Sequence, residues 1–323
     1  MNDKLQNILN MVSRNYQTAS AFYKMDYNAS FAAFGITNAD READPDKIAE
    51  AKQIIKEKAG IFSVFGSGAP RMMAISKMVR STDPLETFNK IISIYDTMKK
   101  VFNDSAFVGV MATLLIDYPK DIGELSVKSS EILKALKKKH GFLGVTSVDY
   151  LFIALMATSE KSVEDMLSES EVIFEAIRGE FKFAKSDAYL LSYLLSTCDE
   201  LTEWKIKTSI ALLQELKESK FRLGNYGTVS IIAPLTAAAM RTDRHILVCD
   251  ILEADKFLAS QKAIGGFFGL YENIRHILAA AIVLKAHAED ENDPFSVAEY
   301  LTVMSCQDQI KSEQDSAATY VPD

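Results

Sequence analysis

Cysteine is scarce in this chain: three occur in 323 residues, Cys198, Cys249 and Cys306, and no two form a CxxC pair. That spacing excludes a disulfide framework and a cysteine zinc site and fits a reducing compartment, so a cytoplasmic location is expected. Histidine is nearly as rare. His140, His245, His276 and His287 never stand in HxxxH or HExxH spacing, so no zinc helix and no metal is expected. Fourteen glycines and seven prolines are too few for the many tight turns of an all-β fold. The opening MNDKLQNILNMVSRNYQ lacks the basic flank, apolar core and small-residue site of a signal peptide. Long apolar runs are missing too. The longest uncharged stretch, residues 223–240, is interrupted by Gly224, Asn225, Gly227 and Pro234, so no membrane span is expected. Positive charge is in deficit, 36 Lys and Arg against 44 Asp and Glu for a net −8, which disfavours a dedicated duplex-DNA binder.

What is present is periodicity. The blocks FAAFGITNAD (31–40), RMMAISKMVR (71–80), MATLLIDYPK (111–120), LFIALMATSE (151–160) and LSYLLSTCDE (191–200) each begin apolar and end polar, at a spacing of 40. IAPLTAAAMRTD (232–243) and HILAAAIVLKA (276–286) continue the series to seven. A second column runs in phase about nine residues earlier: Phe62, Phe102 and Phe142, then Phe181 or Phe183, Phe221 and Phe267. Between the apolar blocks lie amphipathic stretches. In ETFNKIISIYDTMKKVF, the residues Phe88, Ile91, Ile92, Tyr95, Met98 and Phe102 follow the one-face spacing of a helix.

Each unit therefore reads as an amphipathic helix, a short turn and a uniformly apolar helix that needs cover on more than one side. Stacking such hairpins supplies that cover. The expected fold is all-α, a HEAT- or armadillo-like α-solenoid of about seven two-helix repeats with a period near 40 residues. Residues 1–286 would form one elongated array, 287–306 a C-terminal closing helix and 307–323 a flexible tail. Phe102, Leu114, Phe142, Ala154 and Leu194 recur at the repeat period and are expected at inter-hairpin contacts. Asp44-Pro45, Asp83-Pro84 and Asp293-Pro294 mark helix starts, as do Ser162 with Asp165 and Thr146 with Asp149.

The run KAGIFSVFGSGAPRMMAISKMVRSTDPLETFNKIISIYDTMKKVF and the later LKKKHGFLGVTSVDYLFIALMA resemble a bacterial family of uncharacterised proteins, domain of unknown function 4003. The likeness spans roughly residues 40–286. It departs at Leu85, which separates Pro84 from Glu86, and at the GSGAP loop. The family has no established activity, so the resemblance implies a bacterial origin and assigns no site residue.

Candidates for chemistry are few. DREADPD (40–46) alternates acids like the start of a calcium loop, but Pro45 stands where that loop needs glycine and Ala51 where it needs a bidentate Glu. GSGAPR (66–71) sets two glycines and Arg71 at a helix start that could hold a phosphate, although a plain turn explains it too. Glu272 and His276, four apart, read as a helix-stabilising pair. Cys198 and Cys249 read as small buried side chains with no activating histidine.

The least ordinary feature is charge. The turns at 56–71, 99–105, 137–147, 178–187, 217–227 and 262–272 carry 15 Lys and Arg against 6 Asp and Glu. One rim should be basic, with Arg71, Lys99, Lys100, Lys137, Lys138, Lys139, Lys182, Lys185, Lys220 and Arg222 as candidate anion or partner contacts, unless these cations serve only helix C-termini. No catalytic constellation and no cofactor motif is visible. The reading is a non-enzymatic protein-binding or scaffold array. Its alternatives are a basic-rim binder of single-stranded nucleic acid or another polyanion, and an enzyme whose groove site is assembled from residues remote in sequence.

Overall fold

The computed structural model describes residues 3–288 apart from 24–25, 61–62, 104, 119, 141–144, 148, 181–184, 224 and 262–271. The closing helix and tail expected at 287–306 and 307–323 lie almost wholly outside that span. The described residues form fourteen α-helices and no strand. In order they are α1 (Asp3–Ser20), α2 (Asp26–Asn38), α3 (Pro45–Lys58), α4 (Gly68–Arg80), α5 (Pro84–Met98), α6 (Ala106–Leu115) and α7 (Ile122–His140). There follow α8 (Asp149–Thr158), α9 (Val163–Ile177), α10 (Lys185–Thr197), α11 (Thr202–Glu218), α12 (Asn225–Ala238), α13 (Arg244–Ser260) and α14 (Glu272–His287).

Helix starts follow the expected caps. Asp44 accepts from the amides of Asp46 and Lys47, Asp83 from Glu86 at 2.8 Å, and Ser162 from Asp165 at 3.0 Å. Thr146 donates both its amide and its hydroxyl to Asp149, the reverse half of a capping box. Pro234, taken in the sequence as an interruption, sits inside α12, which continues through it to Ala238. Packing against α10, α11 and α14 keeps that helix continuous despite the missing amide.

The helices pair as seven antiparallel hairpins, each odd helix with the even helix that follows it. Even helices pack on even helices from α2 through α14, and odd helices on odd helices from α3 through α13. The even set is inner: every residue of 108–115 in α6 and of 150–157 in α8 is buried. α14 is buried at Ile274, from His276 through Leu284 and at Ala286. The odd set keeps a polar face outward, as α5 does with Phe88, Ile91, Ile94, Tyr95 and Met98 turned in. Leu114, Ala154, Phe102 and Leu194 are buried, and Phe142 lies outside the described residues.

The arrangement departs from an elongated array at its ends, because α1 packs against both α13 and α14. Lys4 Nζ donates to the carbonyl of Ala288 at 2.9 Å, and Lys285 pairs with Asp40 at 3.0 Å. The first and last hairpins therefore meet, and the chain closes into a ring. The reason lies in the inner helices. An open array would leave one flank of α2 and one of α14 bare, and both are apolar nearly all round. At the seam α1 covers the free flank of α14. Along α6 and α8, residues 108–115 and 150–157 present no solvent-facing stripe.

Lysines fasten neighbouring hairpins at the C-terminal ends of the inner helices, where the carbonyls are left without amide partners. Lys161 Nζ donates to the carbonyls of Ser196 (3.0 Å) and Cys198 (2.5 Å), and Lys205 to Cys198 at 2.9 Å. Lys161 and Lys205 converge on Glu169, which also accepts from Thr202 at 2.8 Å. Lys4 with Ala288 at the seam repeats the relation of Lys205 with Cys198: an early residue of an odd helix capping the preceding inner helix.

Candidate anion-binding face

Inner helices lie with their C-terminal ends side by side. Arg80 donates to the carbonyl of Gly35 at 3.0 Å across α4 and α2, and Lys77 pairs with Asp117 across α4 and α6. The odd-to-even turns consequently gather at the other end of the ring, so the basic turns read from the sequence fall on one face. The cations there are not equivalent. Lys99 is neutralised by Asp96 at 2.5 Å and lies over the Tyr95 ring, and Lys139 pairs with Glu171. Lys137 is half-buried near the end of α7. Lys182 lies outside the described residues, as does the side chain of Lys185. Lys100, Lys138, Lys220 and Arg222 are exposed, and none has a carboxylate partner among the described residues.

The described phenylalanines of these turns do not line the surface. Phe65, Phe102 and Phe221 are buried. Phe65 meets Phe88 and Tyr95 edge-on at 5.7 and 5.5 Å, Phe102 meets Tyr150 at 4.7 Å, and Phe221 stacks on His276 at 4.0 Å. These three plug the hairpins; Phe62, Phe142, Phe181, Phe183 and Phe267 lie outside the described residues.

Arg71 sits at a helix start. It is the fourth residue of α4, and its Nη1 donates to Gly66 O at 3.1 Å. Lys52 of α3 stands close enough to sense its charge. Lys52 donates to Phe22 O at 3.0 Å and lies over the rings of Phe22 (5.6 Å) and Tyr23 (5.9 Å). Burial, reinforced by the neighbouring Arg71 charge, holds the Lys52 ammonium below its ordinary value. Burial likewise raises the Tyr23 phenol, with Arg71 pulling the other way. Neither cation has a carboxylate partner among the described residues.

The opposite face consumes its acids internally. Asp44 caps α3, Glu42 pairs with Arg14 at 2.6 Å and Asp40 with Lys285, so DREADPD is an inter-hairpin turn. No group of three or more His, Cys, Asp and Glu residues among those described could hold a metal ion. His276 does not turn to Glu272. Its Nδ1 lies 2.7 Å from the Arg222 carbonyl oxygen and 3.1 Å from the Arg222 amide, while Nε2 lies 3.7 Å from Asp255, which Arg275 holds at 2.6 Å. Asp250 meets His287 Nε2 at 2.9 Å, and the other ring nitrogen lies 3.3 Å from the Thr242 hydroxyl. This chain ties the α12–α13 turn to the end of α14.

The reading of Cys249 as buried and without a histidine is overturned. Cys249 is exposed, and its Sγ lies 3.6 Å from Nε2 of His245, one turn earlier on α13. The His245 Nδ1 in turn meets Glu215 at 2.6 Å. The i, i+4 spacing of the first pair was in the sequence, whereas Glu215 comes from α11 and needed the fold. Cys198 is the sheltered thiol, pushed up to about 11 by burial and the Glu200 charge.

The molecule is thus an all-helical ring of hairpins with one cation-rich face. The chain belongs to the family described as protein of unknown function, DUF4003, whose model matches residues 15–313. No curated protein and no solved structure matches it. No helix among the described residues is long and apolar enough to cross a membrane.

Proposed function

We propose that this protein is a non-enzymatic binding protein, a scaffold that docks an acidic segment of a protein partner on the face formed by its odd-to-even turns. The observation that carries this reading is the set Lys100, Lys138, Lys220 and Arg222, exposed on that face and without carboxylate partners among the described residues. Exposed cations of one sign on one face steer and orient an acidic partner. Single-stranded nucleic acid fits less well. Its binders stack bases on exposed aromatics, and here Phe65, Phe102 and Phe221 are committed to the core.

The test is retention and titration with poly-L-glutamate and with a single-stranded oligonucleotide at low and moderate salt. Poly-L-glutamate should bind with a salt-dependent affinity, and the triple variant Lys138→Glu, Lys220→Glu, Arg222→Glu should lose it while keeping its melting temperature. Indifference of the wild-type protein to poly-L-glutamate at low salt would remove the proposal. Tighter, salt-dependent capture of the oligonucleotide would replace the acidic protein segment with nucleic acid.

A further inference from the structure

We infer that Cys249 is a site of reversible thiol modification, its sulfur deprotonated by His245 and exchanged with the disulfide of a small thiol, while Glu215 and Arg244 position the imidazole. The inference goes beyond the docking proposal and is independent of it, because none of these residues belongs to the set Lys100, Lys138, Lys220 and Arg222.

Local geometry carries it. Cys249 is exposed on α13, so a disulfide reaches its sulfur from solvent without a cleft. Its Sγ lies 3.6 Å from Nε2 of His245, one turn earlier. Nδ1 of the same ring lies 2.6 Å from Oε1 of Glu215 on α11. An ionised carboxylate can only accept, so Nδ1 carries the proton and Nε2 presents its lone pair to the thiol. Glu215 is itself fixed, since Arg244 Nε donates to its other oxygen at 2.9 Å. Burial would raise this carboxyl, but the hydrogen bonds from His245 and Arg244 outweigh it and hold the group below its ordinary value. It is therefore anionic at neutral pH. An accessible nucleophile, a base in contact with it and a third group orienting that base together make an activated thiol. Cys198 stands in contrast: it is sheltered, and its Sγ donates to the Leu194 carbonyl at 3.7 Å.

The surrounding charges leave the pair its own chemistry. Glu215 is the charged group that α11 brings to His245, and Asp243, Arg244 and Glu253 flank the pair along α13. On the buried side of α13, Asp250 is held by His287 of α14, whose Arg275 goes to Asp255. From α1, Lys4 turns to Ala288 and Arg14 to Glu42.

Acyl transfer would further require donors arranged around a developing oxyanion in a water-excluding site. Disulfide exchange requires only an accessible thiolate. The Cys249 proton passes to His245 Nε2, and the thiolate attacks one sulfur of the disulfide. The new S–S bond forms as the old one breaks, and the electron pair leaves on the departing thiolate, which takes up a proton. One disulfide is consumed and one is made, so a free thiol reverses the step.

The experiment uses the full chain with two separate probes, glutathione disulfide and iodoacetamide, and follows Cys249 by peptide mapping so that Cys198 and Cys306 are scored apart. An unassisted thiol is only about 3% thiolate at pH 7, so a proton acceptor can raise the rate several-fold, within the limit that a stabilised thiolate is a weaker nucleophile. Wild type should therefore react with both probes about threefold or more faster than His245→Gln at pH 7. That lead should shrink toward pH 9, where the thiol ionises without help. Glu215→Gln keeps an acceptor for Nδ1 but loses the charge, and its rate should fall between the two. His245 is largely exposed, so melting temperatures should stay level and separate reactivity from folding. Equal rates for wild type and His245→Gln at pH 7 would overturn the inference, as would a lead that persists unchanged at pH 9. Slowing confined to glutathione disulfide would overturn it as well, because His245 would then be attracting an anionic probe instead of taking the proton.

Discussion

Closure of the ring can be tested far from the seam, at Leu114. This side chain is 2% exposed and lies in α6, where every residue from Val108 to Leu115 is buried against α4, α5 and α8. Leu114→Ala removes most of an apolar side chain and leaves a cavity between helices that cannot collapse without moving. A loss of about 3 kcal/mol is expected, or a fall of roughly 4–5 °C in melting temperature for a chain of this size. The informative quantity is where the loss appears. In an open stack each unit touches only its neighbours, so α14 would keep its amide protection while the hairpin of α5 and α6 lost it. In the ring no hairpin is terminal, because α1 packs on α13 and α14 and Lys4 caps α14. Opening the α5–α6 hairpin turns the ring into a short stack whose inner helices end bare, and the remainder should open with it. Hydrogen exchange on Leu114→Ala should therefore show residues 274–286 losing protection in step with 106–115. Wild-type protection at 274–286 beside a strong loss at 84–115 would refute closure as an energetic fact.

Three further outcomes follow from particular contacts. A Cβ at Gly109 would lie 2.9 Å from Pro70 Cβ and 3.1 Å from Val64 Cγ2. Gly109→Ala should therefore lose about 1–3 kcal/mol through overpacking despite the better helix propensity of alanine, and a denaturation midpoint above wild type would contradict this. Burial alone would raise the Glu169 carboxyl, but hydrogen bonds from Lys205, Thr202 and Lys161 outweigh it and hold the group below its ordinary value. A depressed carboxylate contributes stability that is present above its unfolded value, about pH 4.5, and lost as pH falls through its folded value. The melting-temperature lead of wild type over Glu169→Gln should thus be steady near neutrality and shrink below about pH 4.5; a lead that grows on acidification would reverse the sign. Maleimide labelling at pH 8 with peptide mapping should mark exposed Cys249 well before Cys198, whose thiol burial pushes up to about 11, and equal rates would count against that sheltered environment.

What the sequence discloses depends on how far apart the cooperating residues are. Phe102, Leu114, Ala154 and Leu194 announce themselves because a hairpin that buries one face repeats its apolar positions at its own period, and the helix starts at Asp44, Asp83 and Ser162 are written within three residues. The His245–Cys249 pair was equally local. Closure had no such signal. Lys4 with Ala288 and Lys285 with Asp40 join residues 284 and 245 apart, and whether they meet depends on a small rotation per hairpin summed over seven hairpins, which no residue pattern encodes. The basic turns show the same limit from the other side. Composition places fifteen cations there without saying which are answered, and only the fold separates Lys99 and Lys139, which have acids, from Lys138, Lys220 and Arg222, which have none among the described residues. A face assembled from several turns has no linear motif, so the charges left unbalanced after every local partner has been assigned are the physical trace by which such a face is found.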